Sequence, residues 1–76
     1  MQIYKNLSGE SGVEAYEIGM DFLIVRFRKG EPSCYKYTNE RTGTLHVEIM
    51  KSFAERGSGL NEYINKNVPK GYESCW

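Results

Sequence analysis

The chain has 76 residues, enough for one small domain that buries only roughly 60% of the surface its unfolded form exposes, which leaves little room for a deep enclosed site. Ten basic residues balance ten acidic ones, so no whole-molecule field steers nucleic acid, and any attraction to phosphate has to come from a local patch. Charged residues at 26% and apolar residues at 39% are the mix of a soluble globular chain, which argues against disorder.

The opening Met1-Gln2-Ile3-Tyr4-Lys5-Asn6 lacks the apolar run of a signal peptide, and no stretch approaches the roughly 20 apolar residues that span a membrane. The expected location is therefore cytoplasmic, without membrane contact. Ser8-Gly9-Glu10-Ser11-Gly12 reads as loop, and residues 1–12 are expected to be a flexible segment in which Ile3 and Tyr4 either add a short edge strand or hang free. Val13 to Gly19 alternates like a strand, and Gly19-Met20-Asp21 supplies a tight turn. Phe22 to Lys29 is the clearest strand, with Leu23, Val25 and Phe27 on one face and Arg26 and Arg28 on the other. Gly30-Glu31-Pro32-Ser33 makes a hairpin loop, and Cys34 to Thr38 returns as a third strand.

After a polar link from Asn39 to Gly43, the apolar period changes from two to about 3.6. Leu45, Ile49 and Phe53, with Met50 and Ala54, predict a helix from about Thr44, a suitable N-cap, to Arg56, ended by Gly57. Ser58 is placed to cap a second helix on which Leu60, Tyr63, Ile64 and Asn67 share a face, before Val68-Pro69 stops it. The expected fold is a single α+β domain: a three-stranded antiparallel β-meander followed by two short helices packed on one face.

Tyr35-Lys36-Tyr37 resembles the central Tyr-x-Tyr of the KTSC domain, a short module found at the C-terminus of some lysyl-tRNA synthetases and alone in bacterial proteins. Leu23-x-Val25-x-Phe27 followed by Gly30 is similar to the segment that precedes it in that family. Tyr63-Ile64-Asn65, then Val68 and Tyr72, is similar to the family's aromatic-hydrophobic-Asn stretch, so the likeness covers about residues 13–72. The chain departs from the pattern in a shorter turn at Met20-Asp21, a longer loop around Pro32, and the lack of Val-Pro before the first helix. The resemblance implies no established activity. It implies RNA as a ligand only through the synthetases that carry the module.

RNA binding by a sheet uses aromatic rings for stacking and cations for phosphate, and Arg26, Arg28, Tyr35, Lys36 and Tyr37 are the candidate contacts. Alternation points Lys36 opposite to Tyr35 and Tyr37. Burying the lysine would strip its charge of water, so the tyrosines are expected to face the helices and Lys36 the solvent, beside Arg26, Arg28, Phe22 and Ile24. The competing reading is a solvated face on which Glu14 or Glu17 neutralises those cations.

The alternative function is a protein-interaction domain acting through Trp76 or an exposed sheet edge. Trp76 either folds back over the small core, the favoured reading, or stands free for a partner. No cofactor or metal is expected, since Cys34 and Cys75 lack metal-site or disulfide-scaffold spacing and read as two reduced thiols. An enzyme built on Cys34 with His46 as base has the least support, because His46 is isolated and reads as a surface helix residue. The carboxylates Asp21, Glu48, Glu55 and Glu62 are scattered and mark no acid–base pair. The chain is expected to be non-enzymatic.

Overall fold

The alternation of Phe22-Leu23-Ile24-Val25-Arg26-Phe27 organises the architecture, because a strand with one apolar side settles with that side toward a core. In the computed structural model, which describes residues 1–76, this segment is β3, Phe22–Phe27, the centre of a five-stranded sheet. Its neighbours are β2, Val13–Ile18, and β4, Cys34–Thr38. Two-residue strands finish the edges: β1, Gln2–Ile3, beside β2, and β5, Ser74–Cys75, beside β4. The order is β1-β2-β3-β4-β5 and every pairing is antiparallel.

The fold class is α+β with an antiparallel sheet, as expected, but three strands become five and two helices become three. The polar link after β4 forms a one-turn helix, α1, Asn39–Thr42, because the Thr38 hydroxyl accepts from Arg41 N at 3.1 Å and caps it. Thr44 consequently starts α2, Thr44–Arg56, as a helical residue, and Gly43 takes the cap position without a side-chain bond. Gly57 ends α2 in the left-handed region at φ 82°. Gly59, not Ser58, precedes α3, Leu60–Asn67.

The helices pack on one face of the sheet. Leu23, Val25 and Tyr37 from the strands meet Val47, Met50 and Ala54 from α2, and Leu60 and Ile64 from α3. Tyr4 joins this core at 2% exposure, its hydroxyl accepting from Leu60 N at 3.4 Å. Residues 1–12, expected to be a flexible segment, thus supply through Tyr4 one of the core's largest side chains.

The buried stripe of α2 runs through Val47, Met50, Lys51 and Ala54, whereas Leu45 is 74% exposed. A lysine sits in the stripe because its stem lies along apolar surface while its ammonium reaches the β2–β3 turn. There Lys51 Nζ donates to Gly19 O at 2.8 Å, Met20 O at 3.1 Å and Glu48 Oε2 at 3.1 Å. Three donors and three acceptors leave the buried charge satisfied.

Candidate nucleic-acid interface

The strand register divides the five candidate residues between the two faces of the sheet. Val25 stands opposite Tyr35 and Leu23 opposite Tyr37, so both tyrosines share the helix-packed side. Ile24 stands opposite Lys36, and Arg26 opposite Cys34, so both cations point the other way. Arg28 lies beyond the end of β3 and belongs to the loop that follows.

The two cations of the uncovered face are already engaged. A bulge in β2 between Val13 and Ala15 brings Glu14 to the side of Arg26, and Arg26 Nε donates to Glu14 Oε1 at 3.1 Å. The neutralising partner is thus Glu14, one of the two carboxylates the sequence offered. Lys36 Nζ lies 4.9 Å from the centroid of the Phe22 ring, a cation–π contact on the same face.

The tyrosines lead to a different place. Tyr37 is 2% exposed, whereas Tyr35 is half-buried and lines a cleft of about 740 Å³. The cleft opens where the β3–β4 loop, the Glu10–Gly12 loop, α3 and the segment before β5 converge. Its aromatic wall is an edge-on cluster: Phe27 to Tyr35 at 5.6 Å, Tyr35 to Tyr72 at 4.9 Å, and Tyr37 to Tyr72 at 6.4 Å between centroids. Such T-shaped packing fixes each ring by its neighbours. Arg28, Lys29 and Lys70 also line the cleft, against the two carboxylates Glu10 and Glu31. One turn apart on α3, Asn61 and Asn65 turn to the same opening.

Burial pushes the Tyr37 hydroxyl well above the usual tyrosine range, with further contributions from Tyr35 and Tyr72 beside it. The floor of the cleft therefore stays uncharged. Its size falls within the range of about 300–1,000 Å³ typical of ligand clefts.

Lys29, Lys70, Tyr72, Asn61 and Asn65 were not among the candidates read from sequence. In the sequence Tyr72 stands out only through the KTSC resemblance, and nothing local says that it returns to stand against Tyr35, 37 positions earlier. That approach is made by β5, where Cys75 pairs with Tyr35 and Ser74 with Lys36.

The remaining candidates separate cleanly. Cys34 sits on the uncovered side of the sheet while His46 lies on α2 across it, with Nδ1 2.7 Å from Tyr63 Oη. The two form no nucleophile–base pair. Cys34 is buried, Cys75 is exposed, and both are free thiols; as neighbours in register to Arg26 and Tyr35 they point to opposite faces. Trp76 exchanges both backbone hydrogen bonds with Cys34, each at 2.9 Å, and is 55% exposed. It joins the uncovered face and does not fold back over the core, because its pairing with Cys34 sets the side on which its ring stands.

No group of three or more His, Cys, Asp or Glu side chains is arranged to hold a metal, and no helix is long and apolar enough to cross a membrane. No family model, curated protein or solved structure matches the chain.

Proposed function

We propose that the protein is a small non-enzymatic module of KTSC type that binds single-stranded RNA in the cleft beside Tyr35 and Tyr72. The observation that carries this reading is the joining of a three-ring wall, Phe27, Tyr35 and Tyr72, to three cations, Arg28, Lys29 and Lys70, at one opening. Rings offer stacking to any base, and cations at the mouth take the phosphates. The side-chain amides of Asn61 and Asn65 carry both donors and acceptors for a base edge. Of the five residues the sequence offers, Tyr35 and Arg28 contact the strand in this reading and Tyr37 forms the floor. Arg26 and Lys36 are outside it.

With three cations against two carboxylates, binding is modest and salt-dependent. Neutralising three phosphates gives a slope of about −2 in log K against log salt for a single strand. The test is a titration of isotope-labelled protein with a mixed-sequence single-stranded RNA at low and moderate salt, followed by NMR. Shifts are expected at Tyr35, Asn61, Asn65 and Tyr72, with affinity falling about 5- to 10-fold for Arg28→Ala and for Lys70→Ala and hardly at all for Arg26→Ala. A stacking ring contributes about 1–3 kcal/mol, so Tyr35→Leu is expected to weaken binding at least as much. Absence of binding at low salt, or shifts confined to the face of Arg26 and Lys36, defeats the proposal.

A further inference from the structure

The side of the sheet away from the helices is uncovered, and its residues form a self-complementary pattern. One row across it reads Glu17, Ile24, Lys36, Ser74, from β2 to β5. The next reads Ile3, Ala15, Arg26, Cys34, Trp76, from β1 to the residue after β5. The first row has an acid on one side of β3 and a base on the other. The second has an exposed aliphatic side chain at one edge and an exposed tryptophan at the opposite edge, at 74% and 55% exposure. Phe22 adds a ring to the same face, lying across Gly19 so closely that a Cβ there would fall 2.1 Å from it.

We infer that this face pairs with the same face of a second copy about a two-fold axis parallel to β3. Rotation about that axis lays β2 of one copy over β4 of the other, so Glu17 meets the partner copy's Lys36 twice over, and Ile24 meets its own equivalent at the axis. The same rotation brings Trp76 against Ile3 at both edges. The other in-plane axis, perpendicular to the strands, would stack Glu17 on Glu17 and Lys36 on Lys36, and like charges so juxtaposed cost several kcal/mol. The charge pattern therefore selects one of the two arrangements. Arg26 near the axis does not meet its equivalent as a bare charge, because Glu14 holds each at 3.1 Å.

Face-to-face sheets pack about 10 Å apart with strand directions within about 30°, which the side chains named here can fill. The molecule measures 31 × 25 × 23 Å, so the buried area falls near the low end of stable interfaces, about 600 Å² per partner. The dimer is accordingly a weak one whose population depends on concentration. The RNA cleft lies across the sheet and remains open in the dimer, so neither proposal requires the other.

Sedimentation velocity on the full chain, from about 10 μM to about 1 mM, tests this. The weight-average sedimentation coefficient is expected to rise with concentration from the monomer toward the dimer value. Glu17→Lys and Lys36→Glu are each expected to weaken association at least 10-fold, and the double exchange E17K/K36E to restore it. Trp76→Ala, a residue outside the core, is expected to weaken it similarly, with circular dichroism checking that each variant is folded. A monomer across the whole range, a double exchange as weak as either single one, or a dimer indifferent to Trp76 overturns the inference. So does a monomer whose Ile24 and Lys36 signals move on adding RNA, which would assign the face to nucleic acid.

Discussion

Tyr35 and Tyr37 differ by two positions and share a sheet face, yet their surroundings divide their roles. Tyr35 stands at a wall open to solvent, and Tyr37 is sealed beneath it. Burial, and secondarily Tyr35 and Tyr72, raises the Tyr37 hydroxyl pKa above its ordinary value. Folding therefore favours the protonated phenol, while the unfolded chain releases that proton near pH 10. Below about pH 10 both states hold the proton and the contribution to stability is complete; above it the unfolded state gains by ionising and stability falls. Urea unfolding of the wild type is thus expected to lose free energy more steeply between about pH 9 and 11 than that of Tyr37→Phe, with the two proteins similar near pH 7. Parallel pH profiles would count against the assignment.

At the scale of elements, the joint between α2 and α3 is tied to the segment that follows the first strand. Gly57 has φ 82°, and a Cβ added there would lie 2.5 Å from Lys5 Cβ. Its carbonyl also accepts from Leu7 N at 2.8 Å. An alanine here meets both the left-handed penalty of roughly 1–2 kcal/mol and the backbone of the segment after β1. Gly9 has φ 76° with open space around it, so Gly9→Ala carries the conformational penalty alone. Gly57→Ala is expected to cost more than Gly9→Ala by at least about 1 kcal/mol, read from urea midpoints, and equal costs would mean that Lys5 yields freely.

Local pattern reached these elements unevenly. The bounds of β4 and α2 and the inward side of β3 were legible because periodicity and a stop glycine lie within the segment itself. The strand β1 was legible only as one of two alternatives for Ile3 and Tyr4, and β5 not at all, since two residues carry no period and exist only through partners elsewhere in the chain. Lys51 hid the true stripe of α2, because a charge reads as surface until its acceptors, the carbonyls of Gly19 and Met20, are seen. The cleft was half legible: Tyr35 and Arg28 were named from β3 and β4, while Tyr72 and Lys70 depend on where β5 returns.

For the whole molecule, the small core makes each large side chain count. Tyr4 is held by a strand of two residues, yet it closes the core between β2 and α3 and receives a hydrogen bond from Leu60 N. Truncating a buried aromatic costs about 3–5 kcal/mol, comparable to the lower end of the 5–15 kcal/mol that holds a domain together. Tyr4→Ala is therefore expected to leave a substantial unfolded fraction at room temperature, seen as lost chemical-shift dispersion. Removing residues 1–6 is expected to do the same, and a well-folded truncated chain would show that the remaining core suffices.

The distribution of rings has a practical consequence. The lone tryptophan lies on the uncovered sheet face, while the cleft is walled by tyrosine and phenylalanine alone. Indole absorbs further to the red than phenol, so Trp76 can be excited alone, and its emission reports association of the sheets from an unlabelled sample.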